Sequence, residues 1–518
     1  MKKNTPYILP SFADLIFVIL LITLSSSLGQ GLLSDGDTGF HIRAGEYILE
    51  NWSIPRVDMF SFLVPAPEWT AHEWLSEVIM AFVHNAMGLT GIVIFYAFIL
   101  GLTYYLFLKF LRQDHDHLLL TTAMVLLVIS TSTIHFLARP HVFSLLFTVI
   151  SYFIIDRYEY HNKNYLFFFP FVMLLWVNLH GGYIIGFLLL GTYLTGNIVY
   201  YFLDKNADKF RTGRKLKTYS IVIFACLAVS LVNPFGYHIL LFPFDLVGNS
   251  FLTSHVNEFR PANFQDFFVF KYFFILALAV FMTNKWRLNV IELFLVLGFT
   301  YMSLYSVRYI PLFAIIVAPI LLKRLEVLAQ QAKNPIIHFL NVKSESFAEN
   351  DKTARGFLWP ALILGLIILV TAFGAINHSF DPESKPVQAV EFIKNEHIPG
   401  NMFNDDEFGD YVIYSAYPEY KVFFDGRSDM YGNEHLRNYI KIIRLGKGWE
   451  NVFEEYNIQW VFFNAESLLS RYLLEKKDWH LIYADEVAHI YVLNEPMYKN
   501  IINKYKHVKP VTNNTVKK

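Results

Sequence analysis

Cysteine is nearly absent from this chain of 518 residues, since Cys226 is its one cysteine and lies within an apolar run. A disulfide framework and a cysteine-ligated zinc site are therefore excluded. Charge is also scarce, because Asp, Glu, Lys and Arg make up 17% of the residues, against about 25% in a typical soluble chain. The 43 basic and 44 acidic residues nearly cancel. No positive field is present to attract a nucleic acid.

The chain also lacks the motifs of soluble nucleotide sites and of common hydrolases. It contains no G-x-x-x-x-G-K-[ST] phosphate loop, no G-x-G-x-x-G loop, no H-E-x-x-H motif and no G-x-S-x-G elbow. An activated lipid carrier is therefore a better source of energy for any transfer reaction than a cytoplasmic nucleotide.

Apolar runs are abundant instead. Hydrophobic residues make up 54% of the chain and aromatic residues 17%, including 50 Phe and 31 Tyr. A membrane-spanning helix needs about 20 mostly apolar residues. We predict a polytopic α-helical membrane protein with about eleven spans, near 11–32, 89–111, 118–137, 141–156, 164–178, 183–203, 218–233, 268–283, 289–306, 309–323 and 357–376.

The distribution of Lys and Arg predicts the orientation, because positive loops stay cytoplasmic. Alternate loops are basic, with a dense group at 205–217 and another at 323–355. The N-terminus, with Lys2 and Lys3, is expected inside and the C-terminal segment outside the plasma (inner) membrane. A cleaved signal peptide is an alternative for the first segment, and it leaves the next loop on the same side.

The composition changes at about 380, where polar residues increase and apolar runs shorten to strand length. Strands are predicted at Tyr420–Phe424, Gln459–Phe463 and His480–Tyr483, and helices at Pro386–Glu396, Glu434–Leu445 and Glu466–Glu475. We predict a membrane domain at 1–379 with a large first outer loop at 33–88, an extracytoplasmic α/β domain at 380–499, and a disordered tail at 500–518.

Uncommon polar residues gather at the predicted outer ends of the spans. Such residues are costly in a membrane and usually mark function. The positions are Asp35, Asp37, His41, Arg43, His72, Glu73, Arg139, His141, Asn178, His180, Glu258, Arg260 and Arg308.

Each of these residues alone has an ordinary structural explanation. The acids could cap a loop, the arginines could anchor to lipid headgroups, and the histidines could be interfacial. If these residues were only anchors, however, they would occur on both faces of the membrane. Arginines on the outer side also run against the tendency of positive residues to stay in cytoplasmic loops. The pattern therefore favours one shared extracytoplasmic site. The stretch Glu73–Gly88 has helical apolar spacing but is too polar to span, so an interfacial helix beside a lipid groove, or plain packing, is expected.

The residue types suit transfer of a group from a lipid phosphate. Asp35 and Asp37 could supply a general base or ligands for Mg²⁺ or Mn²⁺. Arginine binds phosphate through a planar fork, and histidine can protonate a leaving group.

The layout resembles the GT-C superfamily of polyprenyl-phosphate-sugar-dependent glycosyltransferases. The likeness rests on Asp35-Gly36-Asp37 after the first span, the helix from Glu73, and the α/β domain from about 380. The resemblance implies that Asp37 activates the acceptor, that Asp35 assists or binds metal, and that the arginines hold the carrier phosphate. It also implies an extracytoplasmic lipid, glycan or protein acceptor and hexosyl or pentosyl transfer.

Four shorter pieces are similar to a poorly characterised bacterial branch of such proteins. They are Trp69-Thr70-Ala71-His72-Glu73-Trp74-Leu75, Arg139-Pro140-His141, Asn178-Leu179-His180-Gly181-Gly182 and Phe424-Asp425-Gly426-Arg427-Ser428-Asp429-Met430-Tyr431. The chain departs from oligosaccharyltransferases in lacking their W-W-D-Y-G motif, and from protein mannosyltransferases in lacking their Asp-Glu pair. The last of these pieces contains the polar residues Asp425, Arg427 and Asp429. They form either a polar turn or a group that recognises the acceptor or closes over the membrane site.

Three functions remain open from the sequence. The leading hypothesis is a glycosyltransferase that uses a polyprenyl-phosphate sugar donor. The alternatives are a transporter or flippase for a lipid-linked or anionic substrate, and a non-enzymatic assembly factor whose outer domain binds partners.

Overall fold

The computed structural model of the chain describes residues 9–205, 208–266, 269–283, 287–352, 354 and 358–511. Lys2, Lys3, Lys285 and Arg355, which contribute to the predicted orientation, lie outside these ranges. The first residues of the predicted spans 268–283 and 357–376 and residues 512–518 of the predicted tail also lie outside them.

The first three-quarters of the chain form helices. The first eight are α1 (Phe12–Ser25), α2 (Asp37–Asn51), α3 (Trp74–Leu111), α4 (Leu118–Ser132), α5 (His141–His161), α6 (Phe169–Leu179), α7 (Ile184–Leu203) and α8 (Lys209–Ser230). The next seven are α9 (His238–Gly248), α10 (Ser250–His255), α11 (Val269–Thr283), α12 (Val290–Tyr305), α13 (Ile310–Gln331), α14 (Pro335–Asp351) and α15 (Leu358–Ala372).

Within the described residues, four helices are long and apolar enough to cross a membrane: Trp74–Leu111, Leu118–His135, His141–His161 and Gly181–Leu203. Five shorter apolar helices occur at Leu166–Leu179, His238–Gly248, Val269–Met282, Val290–Tyr305 and Leu358–Ala372. The total of eleven spans therefore stays a prediction.

The first predicted span, 11–32, is bent. Helix α1 begins with a capping box, in which Asp14 N–H donates to Ser11 Oγ and Ser11 N–H donates to the Asp14 carboxylate. A 3₁₀ helix, Ser27–Leu33, follows at an angle of 78°. Ser26 stabilises the bend, because its Oγ donates to Thr23 O and accepts from Leu28 N–H.

Helix α3 is divided at Gly88, whose φ of 61° and ψ of −157° are not helical. This positive φ favours glycine, since a side chain would be strained there. The segment before the kink is the one for which the sequence predicts an interfacial helix. Its position relative to a membrane stays a prediction.

The two ends of the helical region carry different polar pairs. At the end away from α2, Lys215 Nζ lies 2.6 Å from Glu159 Oε1, and Arg324 Nη2 lies 2.7 Å from Glu292 Oε2. These basic residues belong to the loops and helix ends that are predicted to be cytoplasmic. The acids, arginines and histidines of the predicted outer ends gather at the opposite end, as described below.

The C-terminal part contains α16 (Val387–Glu396), β1 (Asn401–Asn404), α17 (Asp406–Ala416), α18 (Ser428–Ile443), α19 (Trp449–Glu455), β2 (Ile458–Asn464), α20 (Leu468–Leu474), β3 (Trp479–Ala484), β4 (Ala488–Leu493) and α21 (Lys499–Tyr505). The strands form one sheet in the order β1-β2-β4-β3. Strands β1 and β2 are parallel, whereas β2 and β4 and also β4 and β3 are antiparallel. The core of this part continues into that of the helical region.

Most of the predicted C-terminal elements are present. The predicted strands Gln459–Phe463 and His480–Tyr483 lie within β2 and β3, and the three predicted helices overlap α16, α18 and α20. The strand predicted at Tyr420–Phe424 is wrong. Val422 makes an isolated bridge to Ser61 instead, and Phe423 N–H donates to Asn404 Oδ1. The prediction of a separate extracytoplasmic domain at 380–499 stays a prediction.

The prediction of disorder from residue 500 is wrong for the helix that ends at Tyr505. Helix α21 packs on α16, where the Tyr505 ring lies 5.0 Å from the Phe392 ring. Tyr505 OH donates to Glu396, and Lys504 Nζ lies 2.9 Å from the same carboxylate. These contacts give the segment a partner that its polar composition does not reveal.

Helix α17 connects the C-terminal part to the first loop by packing against α2. Arg43 Nε donates to Tyr414 O at 2.7 Å, and Tyr414 OH lies 3.1 Å from His84 Nε2. These contacts lie near the end of α17. Closer to its start, Glu407 and Asp410 lie beside Gly36, between Asp35 and Asp37.

Candidate functional site

Arg139 lies at the centre of a cluster of acidic residues. Its Nη1 lies 2.8 Å from Asp35 Oδ2, and it also contacts Asp37 Oδ2 and Glu258 Oε1. Arg308 approaches the other oxygen of Glu258, with Nε 3.6 Å from Oε2. These residues come from the start of α2, the α4–α5 connection, the 3₁₀ turn after α10, and the α12–α13 connection, so four distant segments build one cluster.

The position of Asp37 follows from the local sequence. Asp35 Oδ1 accepts the N–H of Asp37, which is the first residue of α2. A helix N-terminus favours negative charge, since its free N–H groups carry partial positive charge. Asp35 therefore fixes the start of the helix, and Asp37 projects from its first turn toward Arg139.

Burial and neighbouring charges together shift the pKa values of Asp37 and Glu258 in opposite directions. Burial raises the pKa of Asp37 well above its usual value, and Asp35 and Glu258 add to this rise while Arg139 opposes it. Burial alone would also raise the pKa of Glu258, but Arg139 and Arg308 hold it below the usual range. Glu258 is therefore ionised at neutral pH, whereas Asp37 holds a proton more readily than an ordinary aspartate.

A second cluster surrounds Glu73, the residue before α3. Its Oε1 lies 3.3 Å from His180 Nε2 and 3.7 Å from His72 Nε2, and its Oε2 lies 3.5 Å from His41 Nε2. His41 Nδ1 in turn lies 3.3 Å from Glu77 Oε1. One carboxylate thus orients three imidazoles.

The hydrogen bonds assign a tautomer to His180. Its Nδ1 accepts the Gly182 N–H at 2.9 Å and lies 2.6 Å from Ser144 Oγ, to which Trp176 Nε1 donates. The proton is therefore on Nε2, which points to Glu73. Burial lowers the pKa of His180 and also that of His41, so both rings are neutral at pH 7.

The C-terminal part contributes Asp410, on α17. Its Oδ1 accepts the Gly426 N–H at 3.1 Å. A Cβ on Gly426 would stand 2.1 Å from Asp37 Oδ1 and 3.2 Å from Asp410 Oδ2. The backbone at Gly426 thus fits closely between the two carboxylates, and only the absence of a side chain allows this approach.

Arg427 fixes the loop that carries Gly426. It is 3% exposed, and its Nη2 and Nε lie 2.6 and 2.8 Å from the two oxygens of Asp425. Its Nη1 lies 2.8 Å from Asp58 Oδ1 in the first loop. The guanidinium also packs on the ring of Trp69, 4.7 Å from the centroid. This buried network ties the C-terminal part to the first loop.

Two adjoining cavities surround the clusters. The larger, of about 590 Å³, lies between the helical region and the C-terminal part. Its polar lining includes Asp35, Asp37, His41, His72, Glu73, Arg139, Glu258, Arg308, Asp410, Arg427 and Asp429. The smaller, of about 150 Å³, has a mainly apolar wall that includes Leu145, Ile185, Pro243, Val247 and Leu312. It shares Glu73, Arg139, Glu258 and Arg308 with the larger cavity, and His141 and His180 line it.

The residues around Asp35 and Asp37 do not fit a resident divalent cation. The Oδ2 atoms of both acids face the Arg139 guanidinium, which also contacts Glu258. A cation between the two acids would meet a positive charge already in contact with both.

Three predicted site residues lie outside both cavities. Arg43 turns to Glu46 and Tyr414 O. Asn178 accepts from Trp74 Nε1 and donates to Val232 O, and thereby joins helix ends. The side chain of Arg260 is exposed at the surface. The substrate contacts of these three residues therefore stay a prediction that neither cavity supports. Asp425 is fully buried against Arg427, so it supports the loop and does not face the cavity.

Asp410 is the main residue of the cavity that the sequence analysis missed. Its signal is an acidic run, since Asp405, Asp406 and Glu407 precede it at the start of a helix. The run is far from the first loop in sequence, so only the packing of α17 on α2 places Asp410 beside Asp37.

No family model matches the chain, and no curated protein matches it by sequence. Solved structures do match. One is the archaeal oligosaccharyltransferase AglB from Archaeoglobus fulgidus in complex with an inhibitory peptide and a dolichol-phosphate, with a TM-score of 0.58, 12% identity, and coverage of 88% of this chain and 69% of that one. Another is the Archaeoglobus fulgidus oligosaccharyltransferase in the apo form, with a TM-score of 0.59, 13% identity, and coverage of 93% and 74%. The expected GT-C resemblance is confirmed for the fold.

Proposed function

We propose that this protein is a membrane glycosyltransferase that moves a sugar from a polyprenyl-phosphate-linked donor to an acceptor on the extracytoplasmic face. The observation that carries the proposal is the convergence of Asp37 and Arg308 in one cavity that opens onto an apolar-walled cleft. The fold adds support, because the similar AglB structure contains a dolichol-phosphate.

Arg308 is the residue best placed to hold the carrier phosphate. Its side chain is 28% exposed, and its contact with Glu258 is 3.6 Å long, so donors remain for an incoming anion. The guanidinium packs over the Phe259 ring, 4.7 Å from the centroid. The cleft beside it is lined by Leu145, Ile185 and Leu312, which suit an isoprenoid chain.

Asp37 is the residue best placed to act as base. Its Oδ2 is held by Arg139, whereas its Oδ1 lies beside Gly426, and both residues line the larger cavity. A raised pKa improves a carboxylate as a base near neutral pH, provided that it is deprotonated when the acceptor binds.

The reaction balances with these groups. The acceptor hydroxyl or amide gives its proton to Asp37 as its heteroatom bonds to the anomeric carbon of the sugar. The bond from that carbon to the phosphate oxygen breaks, and the oxygen keeps the electron pair. Polyprenyl phosphate leaves with its added charge stabilised by the guanidinium of Arg308.

The acceptor enters between the helical region and the C-terminal part. The larger cavity is bounded there by Asp406 and Glu407 of α17 and by Leu436, Ile440 and Ile443 of α18. A lipid, glycan or protein acceptor fits this description, with hexosyl or pentosyl transfer. We place the protein in the plasma (inner) membrane, with the N-terminus cytoplasmic and the C-terminal part outside.

The test is transfer from a radiolabelled polyprenyl-phosphate sugar by the purified protein in lipid nanodiscs. Asp37→Asn is expected to remove transfer and to leave the thermal unfolding midpoint near that of the parent. Asp478→Asn, which changes an exposed acid in the C-terminal part, serves as the matched control. Full activity of Asp37→Asn would refute the proposal, and so would counterflow of lipid-linked substrate in liposomes without any glycan product.

A further inference from the structure

We infer that the Arg139 guanidinium takes the place of a divalent cation in this site, so that transfer proceeds without Mg²⁺ or Mn²⁺. The inference rests on the proposed function for its link to catalysis. Its basis is the set of contacts that Arg139 makes, which concerns the chain itself and can be tested by metal binding alone.

The contacts of Arg139 have the pattern expected of a central cation. Three acids from different segments, Asp35, Asp37 and Glu258, direct oxygens to the two terminal nitrogens of one guanidinium. A guanidinium provides five donors in a fixed plane and stays charged, so it can serve several carboxylates at once. Although burial opposes its charge, these three acids raise the pKa of Arg139, and the charge is kept.

The spacing of the acids also disfavours a shared metal ion. Among the residues that the structure describes, the group of three with ligand atoms within 4.8 Å of one another is Asp114, Asp156 and His161, at the opposite end of the helices. The acids around Arg139 form no such group. They are arranged around a guanidinium, which is wider than a metal ion.

The arrangement assigns different roles to the two arginines and the two oxygens of Asp37. The donors of Arg139 are directed to acids, so the carrier phosphate is left to Arg308. Because Arg139 holds Oδ2 of Asp37, the oxygen left to accept the proton is Oδ1, which lies beside Gly426. Arg139 is therefore a positioning residue that also balances the charge of the acids.

The experiment measures Mn²⁺ binding to the full chain in nanodiscs by electron paramagnetic resonance, after EDTA treatment and dialysis. The parent protein is compared with Asp37→Asn, Arg139→Gln and the double variant Arg139→Gln/Asp37→Asn. We expect no Asp37-dependent binding in the parent. Arg139→Gln removes the competing charge and is expected to bind Mn²⁺ at least about tenfold more tightly than the parent, and the double variant is expected to lose this gain.

Saturable Mn²⁺ binding by the parent that Asp37→Asn abolishes would overturn the inference. If Arg139→Gln does not fold, the comparison of the parent with Asp37→Asn still decides. Transfer that EDTA leaves unchanged would support the inference in the active enzyme, and transfer that Mg²⁺ or Mn²⁺ restores after EDTA would contradict it. Absence of transfer under all conditions would refute the proposed function and leave the metal-binding result standing.

Discussion

A methyl group on Gly426 is the smallest change that tests the arrangement of the site. Its Cβ would stand 2.1 Å from Asp37 Oδ1 and 3.2 Å from Asp410 Oδ2. Since nonbonded contacts to carbon rarely fall below about 3 Å, Asp37 must move by about 1 Å. A displacement of about 1 Å at a reacting group can lower the rate by about 100-fold. Gly426→Ala is therefore expected to lower kcat for sugar transfer by about this factor.

The assay is transfer from a radiolabelled polyprenyl-phosphate sugar, together with thermal unfolding of each variant in nanodiscs. Gly31→Ala is the matched control, because no atom lies within 4 Å of the added Cβ. It is expected to keep the activity of the parent. A Gly426→Ala protein that is folded and fully active would show that Asp37 does not depend on this close approach, and the reasoning about the base would be refuted.

Three further predictions concern charge. Arg427→Met leaves two buried carboxylates, Asp58 and Asp425, without their cation, and should lower the free energy of unfolding by about 3–5 kcal/mol in a denaturation assay. The control Arg471→Met, at an exposed position, should change the free energy of unfolding by less than about 0.5 kcal/mol. Arg308→Gln should lower kcat/KM for the donor by about 10- to 100-fold, as expected for loss of a charge-assisted hydrogen bond to the carrier phosphate, and an unchanged kcat/KM would contradict this. Because burial raises the pKa of Asp37, the transfer rate should fall on the acid side at a pH above the roughly 3.9 at which an ordinary aspartate titrates. A fall in rate only below that pH would count against Asp37 as base.

Composition and charge pattern predict the helical region and several of the segments that line the larger cavity. Asp37, Arg139, Glu258 and Arg308 are widely separated in the chain, yet each is an uncommon polar residue at a predicted outer end. Because alternate span ends meet on one side of a membrane, the sequence places them on a common face, and the structure brings them into one cavity.

Contacts made by single side chains are harder to predict from the sequence. Arg43 is similar in type and place to Arg139, but Tyr414 O and Glu46 bind it outside the cavity. Asp410 becomes a site residue only because α17 packs on α2. The segment at Tyr420–Phe424 has strand composition, yet its backbone pairs with loop residues such as Ser61. These outcomes depend on long-range packing, which local pattern does not encode.

The most direct test of the shared site is a cryo-electron microscopy structure of the protein in nanodiscs with bound polyprenyl phosphate. We predict that the phosphate lies within hydrogen-bonding distance of the Arg308 guanidinium, with the isoprenoid chain along Leu145 and Leu312 and with Asp37 across the cavity. A phosphate bound at the opposite end of the helices, near Arg157 and Lys215, would contradict the account.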